Sequence, residues 1–244
     1  MLANSSDKTA DPLKLLENTV RSTDGYRGCR LAMLALNFIP LCLLISTVLA
    51  LILPYAIFPV RLAIAFAFLY LFPPTAARLL LWAARIRQGQ IDLGTKDFLA
   101  WWTLFQLQVL FSRLNALEEV LRLVPGLYSQ WLRLWGARIG RFTYWAPGTL
   151  ITDRSFLSIG NDVVFGAGVR LNPHVIAKSK NGSVQLLLAT VRVGDRATVG
   201  GYSLLTAGTE ISAGETTRAF LISPPFSIWK EGKRVRLQTF GEFD

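Results

Sequence analysis

The sequence predicts an α+β protein in two unlike parts. Apolar helices come first, and a parallel β-coil with three sides per turn follows. Three observations predict this. The chain carries no charge between Arg30 and Arg61. Residues 97–124 repeat apolar side chains at intervals of three and four. From about Leu134 onward, apolar residues recur every six positions.

Composition sets the class. The chain has 244 residues, of which 52% are hydrophobic and 17% charged. Few charges and a high apolar share suit a membrane-attached protein better than an ordinary soluble domain. The net charge of +10 comes from residues around the apolar runs and near the C-terminus. Those positions suit anionic lipid head groups, and the lack of one basic stripe speaks against nucleic acid. Cys29 and Cys42 form no CxxC pair, so neither a disulfide framework nor a zinc site is expected.

Residues 1–28 read as a polar N-terminal segment. No small-residue cleavage site follows the first apolar run, so that run is expected to be an anchor and not a cleaved signal. Residues 29–87 read as a transmembrane helical hairpin, with a re-entrant or interfacial second segment as the alternative. The first uncharged run has 30 residues, between Arg30 and Arg61, and about 20 cross a bilayer. The second covers Leu62–Ala77 and resumes after Arg78, with a break expected at Phe72-Pro73-Pro74. Trp82 suits the interface, with Arg78 snorkelling. Lys14, Arg21, Arg27 and Arg30 precede the hairpin, and Arg78, Arg85 and Arg87 close it. The positive-inside rule puts both ends in the cytoplasm, which predicts an inner-membrane protein with its C-terminal domain facing the cytoplasm.

Residues 97–130 read as an amphipathic interfacial helix ending at Pro125-Gly126. Trp101, Leu104, Leu107, Phe111, Leu114, Leu117 and Leu121 form its apolar stripe. Asp97 is the expected N-cap. The stripe suits either the bilayer surface or neighbouring protein.

Residues 134–235 hold the repeat. Hexads start at Ile139, Trp145 and Ile151, then at Ile159, Phe165 and Leu171, and finally at Val193, Val199, Leu205 and Ile211. A two-residue slip separates the first two blocks, and the register is lost between Ala177 and Ala189. A six-residue period fits a triangular coil in which each hexad supplies one side and one corner. The apolar first residue points inward, and a small second residue fits a tight corner.

These hexads, with "GARIG" at 136–140 and "ISPPFSIWKEGKRV" at 222–235, resemble the hexapeptide-repeat acyltransferases. The resemblance implies a left-handed parallel β-helix, acyl transfer from acetyl-CoA or another acyl-CoA, and a homotrimer with sites between protomers. It also implies a catalytic histidine, and His174 is the only one in the chain. Imidazole titrates near neutrality and suits a general base. Asn172 is a candidate catalytic partner, and Asp153 and Asp162 are further options for orienting the ring. Gly200, Gly201, Ser203, Arg192, Arg196 and Lys230 are the candidate cofactor-binding residues. Ser223-Pro224-Pro225-Phe226 stands where many members of the group carry Gly-x-Pro-Ala.

The expected function is transfer of an acetyl or other acyl group to a hydroxyl or amine of a membrane-associated lipid, glycolipid or lipid-linked saccharide. Acyl carrier protein is the alternative donor. The alternative function is a non-catalytic, membrane-anchored scaffold. One histidine cannot supply the three zinc ligands of a γ-type carbonic anhydrase, so no metal is expected.

Overall fold

The computed structural model describes residues 29–52, 54, 56–178 and 184–237. The polar segment at residues 1–28 lies outside the described residues. The fold is mixed, with helices first and mainly parallel strands after them.

Two helices are long and apolar enough to cross a membrane. The first, α1, covers Cys29–Ile52 and turns at Asn37–Phe38. The cause is local. Pro40 has no N–H to give the carbonyl of Leu36, so the ladder opens one turn earlier. The Asn37 side chain uses the opening: its Oδ1 accepts from Trp102 Nε1 at 3.1 Å and Gln106 Nε2 at 2.9 Å. The second, α2, covers Phe58–Ala84. The break expected at Phe72-Pro73-Pro74 does not occur. A π-turn over Ala67–Leu71 absorbs the missing proline donors, and the Thr75 hydroxyl bonds the carbonyls of Leu71 and Phe72. Leu31, Leu34, Phe38, Leu41, Phe58, Phe66 and Trp82 leave both helices apolar on the outside.

Three further helices follow: α3 at Lys96–Arg113, α4 at Ala116–Arg122 and α5 at Leu127–Leu134. The single helix expected here is divided, because Leu114 takes a non-helical backbone and Gly126 sits at φ +80°. The N-cap of α3 is Thr95, whose hydroxyl accepts from Phe98 N at 3.2 Å. Asp97 lies inside the first turn and not at the cap. Of the two surfaces open to the apolar stripe, α3 uses protein. Trp101, Leu104, Phe111 and even Gln106 and Gln108 are buried. Arg78 is exposed and donates to the Arg133 carbonyl at 2.9 Å, near the C-terminus of α5.

The remaining chain coils. Its strands form three parallel stacks, one per side, here called faces one, two and three. Face one holds β2 (Arg138–Ile139), β5 (Leu157–Ile159), β10 (Val191–Val193) and β13 (Glu210–Ile211). Face two holds β3 (Tyr144–Trp145), β6 (Val164–Phe165) and β11 (Thr198–Val199). Face three holds β4 (Leu150–Ile151), β7 (Arg170–Asn172), β12 (Leu204–Thr206) and β14 (Ile222–Ser223). All ten hexad-leading residues point inward, from Phe165, Leu171, Val199 and Leu205 at 0% exposure to Trp145 at 8%. Burying each contributes roughly 1.5–3 kcal/mol. The small second residue is a stacking requirement. A Cβ on Gly160 would lie 2.6 Å from Asp195 N, in the next turn.

One corner departs from the prism. Between faces three and one, the second turn extrudes a hairpin, β8 (His174–Lys178) and β9 (Val184–Leu188). A short strand β1 (Gly89–Asp92), from the segment linking α2 to α3, pairs antiparallel with β9. Gln88 Oε1 accepts from Thr190 N at 2.8 Å and completes the join. The register lost between Ala177 and Ala189 is this arm.

Candidate active site

The candidate site residues gather at the corner between faces three and one. In the first turn this corner is the segment after β4, with Thr152, Asp153 and Arg154. In the second turn it is Pro173 and His174, where the arm departs. Successive turns stack, so Asp153 and His174 meet although 21 residues apart. The His174 Nδ1–H donates to Asp153 Oδ2. Asp153 is fully buried. Its Oδ1 accepts from Trp101 Nε1 at 3.0 Å, and its Oδ2 also accepts from the Thr152 hydroxyl at 3.1 Å. The Asp153 carboxylate is therefore held on both oxygens and cannot swing away from the ring.

Helix α3 forms the wall. Trp101, Phe105, Gln108 and Ser112 fall at intervals of four, three and four, which places them on one side. The rings of Trp101 and Phe105 meet His174 edge-on, at centroid distances of 5.0 and 5.5 Å. Gln108 Oε1 accepts from Arg154 N at 3.0 Å and Arg154 Nη1 at 3.2 Å. Trp102 and Gln106 turn away towards Asn37 of α1. So α3 lies between the first membrane-length helix and the imidazole.

The neighbours of the imidazole set its charge. Burial alone would depress the His174 pKa, but the charge of Asp153 and its hydrogen bond outweigh that, and the pKa stands above its ordinary value. The ring remains 17% exposed at its side chain. With Nδ1 committed to Asp153, Nε2 is the nitrogen left for a substrate, an arrangement seen wherever a carboxylate fixes a histidine tautomer.

Behind this pair lies a buried ionic cluster. Arg154 and Glu118 are each 1% exposed and paired, with Arg154 Nε donating to Glu118 Oε1 at 2.7 Å. Glu118 Oε2 also accepts from Arg122 Nη2 at 2.9 Å and the Tyr128 hydroxyl at 2.7 Å. Burial first, and then the Glu118 charge, push the Tyr128 pKa up, so its O–H stays a donor. The Arg154 guanidinium faces Phe111, Trp131 and Trp135 at 5.7–5.8 Å.

The other candidate residues lie elsewhere. Asn172 ends β7, where it pairs with Thr206 of the next turn, and no side-chain hydrogen bond joins it to His174. Asp162 sits at φ +56° on the corner between faces one and two. Gly200 and Gly201 form the corner between faces two and three, at the opposite edge of face three from His174. A Cβ on Gly200 would lie 2.4 Å from the Arg218 carbonyl oxygen, so stacking alone demands glycine there. Ser203 is fully buried, and its hydroxyl accepts from Leu221 N at 3.1 Å. Arg192 is exposed on face one, beside a cavity of about 180 Å³ that it lines with Gln88, Ala189 and Phe226. Arg196 is an exposed corner residue at φ +57°. Lys230 is exposed, 3.8 Å from Glu231. Spacing gives Trp101, Phe105, Arg154 and Glu118 no chemical role; the one available signal is that Asp153 and Arg154 lie in the hexad just before the two-residue slip. No group of metal-ligating side chains occurs among the described residues.

One consequence is directly measurable. Trp101→Phe removes the donor to Asp153 Oδ1 and leaves a buried carboxylate oxygen without its partner. The expected cost is about 1–3 kcal/mol of stability. If the indole positions the carboxylate, the acid limb of the activity profile should also shift, which a packing loss alone would not produce. Unfolding in detergent and a pH profile check the two together.

No protein-family model matches the chain, and no curated protein does. Solved structures do. A hexapeptide-repeat-containing acetyltransferase from Vibrio cholerae, complexed with acetyl coenzyme A, is 13% identical over 55% of this chain and 90% of its own, with a TM-score of 0.35. A galactoside acetyltransferase in complex with coenzyme A is 15% identical over 60% and 84%, with a TM-score of 0.35. A serine acetyltransferase from Neisseria gonorrhoeae is 16% identical over 80% of each chain, with a TM-score of 0.25.

Proposed function

We propose that this chain is a membrane-bound acyltransferase. It moves an acetyl or other acyl group from a CoA thioester to a hydroxyl or amine of a membrane-associated lipid, glycolipid or lipid-linked saccharide. The observation that carries the reading is the His174–Asp153 pair, built from two turns of the coil and walled by α3. A fixed imidazole with one free nitrogen, on a hexapeptide coil, suits deprotonation of an acceptor.

The reaction balances with His174 alone as acid and base. Nε2 takes the proton of the acceptor O–H or N–H as that atom attacks the thioester carbonyl carbon. The tetrahedral intermediate then expels the thiolate as the C–S bond breaks. The imidazolium returns its proton to the departing sulfur. The products are an ester or amide and free CoA thiol. Asp153 stabilises the imidazolium that forms between the two steps.

The helices support the acceptor class. The imidazole is separated from α1 by one helix, and α1 and α2 carry outward apolar side chains along most of their length. On this reading the hairpin spans the inner membrane, the left-handed coil faces the cytoplasm, and the acceptor reaches the site from the bilayer. The reading also includes a homotrimer. In its support, faces two and three leave Val164 38% and Ile222 71% exposed, and Tyr202 stacks on Phe220 at the corner they share.

The test is transfer of labelled acetyl from acetyl-CoA into lipid-extractable material by the purified full chain in native-lipid nanodiscs. Labelled lipid or lipid-linked glycan is expected. No labelled product with acetyl-CoA or longer acyl-CoA donors would overturn the proposal. A pH profile adds a sharper check. Only the neutral imidazole accepts a proton, so activity falls as pH drops through the raised His174 pKa. The acid limb of kcat/KM is therefore expected above about 6.5. Asp153→Asn removes the elevating charge but leaves the burial, so the limb should move to lower pH as the rate falls. An acid limb that ignores Asp153→Asn would separate the pair from catalysis.

A further inference from the structure

A cavity of about 740 Å³ lies where α5 and the loop before it face the first turn of the coil. It is at the corner between faces one and two, across face one from His174. The proposed transfer reaction gives it no role. Arg122, Arg133, Arg141 and Thr143 line it.

Two of its polar groups are unmatched. The Arg122 side chain is 6% exposed, and its Nη atoms serve Glu118 and Glu119. Its Nε–H is buried without a partner. The Thr143 hydroxyl is also buried without a partner. Arg133 donates to the carbonyls of Ile139 and Gly140, and neither Arg133 nor Arg141 meets a carboxylate among the described residues. Three guanidinium groups thus gather around the cavity, and only Arg122 is matched by carboxylates. A buried N–H and a buried hydroxyl without partners are each costly unless a ligand supplies acceptors. A ligand with several acceptor oxygens and negative charge meets both needs, and phosphate suits guanidinium geometry.

The rim is apolar. Val124 is 54% exposed, Phe142 84% and Tyr144 58%, and all three line the cavity. Leu123, next to Val124, is 79% exposed. A soluble anion has no use for such a border, whereas an acyl chain would cover it.

We propose that this cavity binds a phosphoryl group, carried by an anionic lipid or by a soluble phosphate ester, with Arg141, Thr143 and Arg122 Nε as donors. The apolar rim favours the lipid. The site stands on geometry and not on the transfer reaction, so its test reads binding.

The full chain is exchanged into mixed micelles holding phosphatidylglycerol or phosphatidylcholine of identical chains, and retained lipid is counted by native mass spectrometry. One phosphatidylglycerol is expected to persist at a collision energy that strips phosphatidylcholine. Arg141→Gln and Thr143→Val, which leave the buried cluster intact, should each cut retention by about tenfold, the loss of one charge-assisted hydrogen bond. Glycerol 3-phosphate in excess tells the sources apart. Displacement of the lipid means the cavity reads the phosphate ester alone. Persistence of the lipid means the rim and the chains matter too. Equal retention of the two lipids, or retention unchanged in both variants, overturns the site.

Discussion

Replacing His174 with alanine is expected to lower acyl transfer by about 10²–10⁴-fold while the chain remains folded. The ring also partners a buried carboxylate, so a stability cost of about 1–3 kcal/mol is expected beside the loss of rate, short of unfolding the chain. The ring is partly exposed, begins an arm and not a core strand, hydrogen-bonds Asp153 and meets the edges of Trp101 and Phe105. Its chemistry has no substitute. Asp153 is sealed behind it, and no second histidine exists in the chain. The loss should appear in kcat, with CoA affinity by calorimetry unchanged, because proton transfer contributes only in the transition state. Turnover close to wild type would remove the imidazole from the mechanism and leave the scaffold reading standing.

The site was partly legible in the sequence because it lies where the repeat fails. Hexads in phase specify a featureless prism, since every inward residue packs the same way and every small second residue stacks under its neighbour. Chemistry requires a departure from that pattern. The chain departs twice: a slip after Ile151 and a break after Ala177. Both fall on the corner between faces three and one. The first follows the hexad that holds Asp153 and Arg154, and the second follows His174. Spacing exposed both irregularities. It did not show that three faces per turn would bring them to one edge in adjacent turns, which left Asp153, Asp162 and Asn172 undistinguished as partners.

Other features depended on distant contacts. Trp101 and Asp153 are 52 positions apart, and Glu118 and Arg154 are 36 apart. No local period encodes either pairing. The apolar stripe of α3 fits a bilayer or a protein equally well, because periodicity specifies a buried side and not what covers it. The helix cap moved from Asp97 to Thr95 because either side chain can accept a backbone N–H, and only the preceding strand β1 decides which is in place. The prolines of α2 signalled a break, yet a π-turn kept the helix continuous.

The Glu118 carboxylate is where stability and chemistry meet, and removing its charge should show both. Glu118→Gln leaves Arg154 and Arg122 in the interior with one shared acceptor weakened. Breaking a buried ion pair on one side costs about 3–5 kcal/mol, because an uncompensated charge remains. In a chain of this size that lowers the thermal midpoint by roughly 10 °C. The neighbouring Glu119 is the control. It also pairs with Arg122, but its side chain is 34% exposed, so Glu119→Gln should cost about 1 kcal/mol or less. Arg154 lies next to Asp153 in the chain and is tied to α3 through Gln108. Loosening Arg154 therefore loosens the carboxylate that orients His174. The acid limb of the pH profile should drift down in Glu118→Gln and stay in place in Glu119→Gln. A double variant, Glu118→Leu with Arg154→Met, should recover part of the lost stability, since two desolvated charges leave together. It should not recover the pH profile, because the backbone of the Asp153 corner still lacks its guanidinium strut. Equal midpoints for Glu118→Gln and wild type would mean that the corner is held by the coil alone.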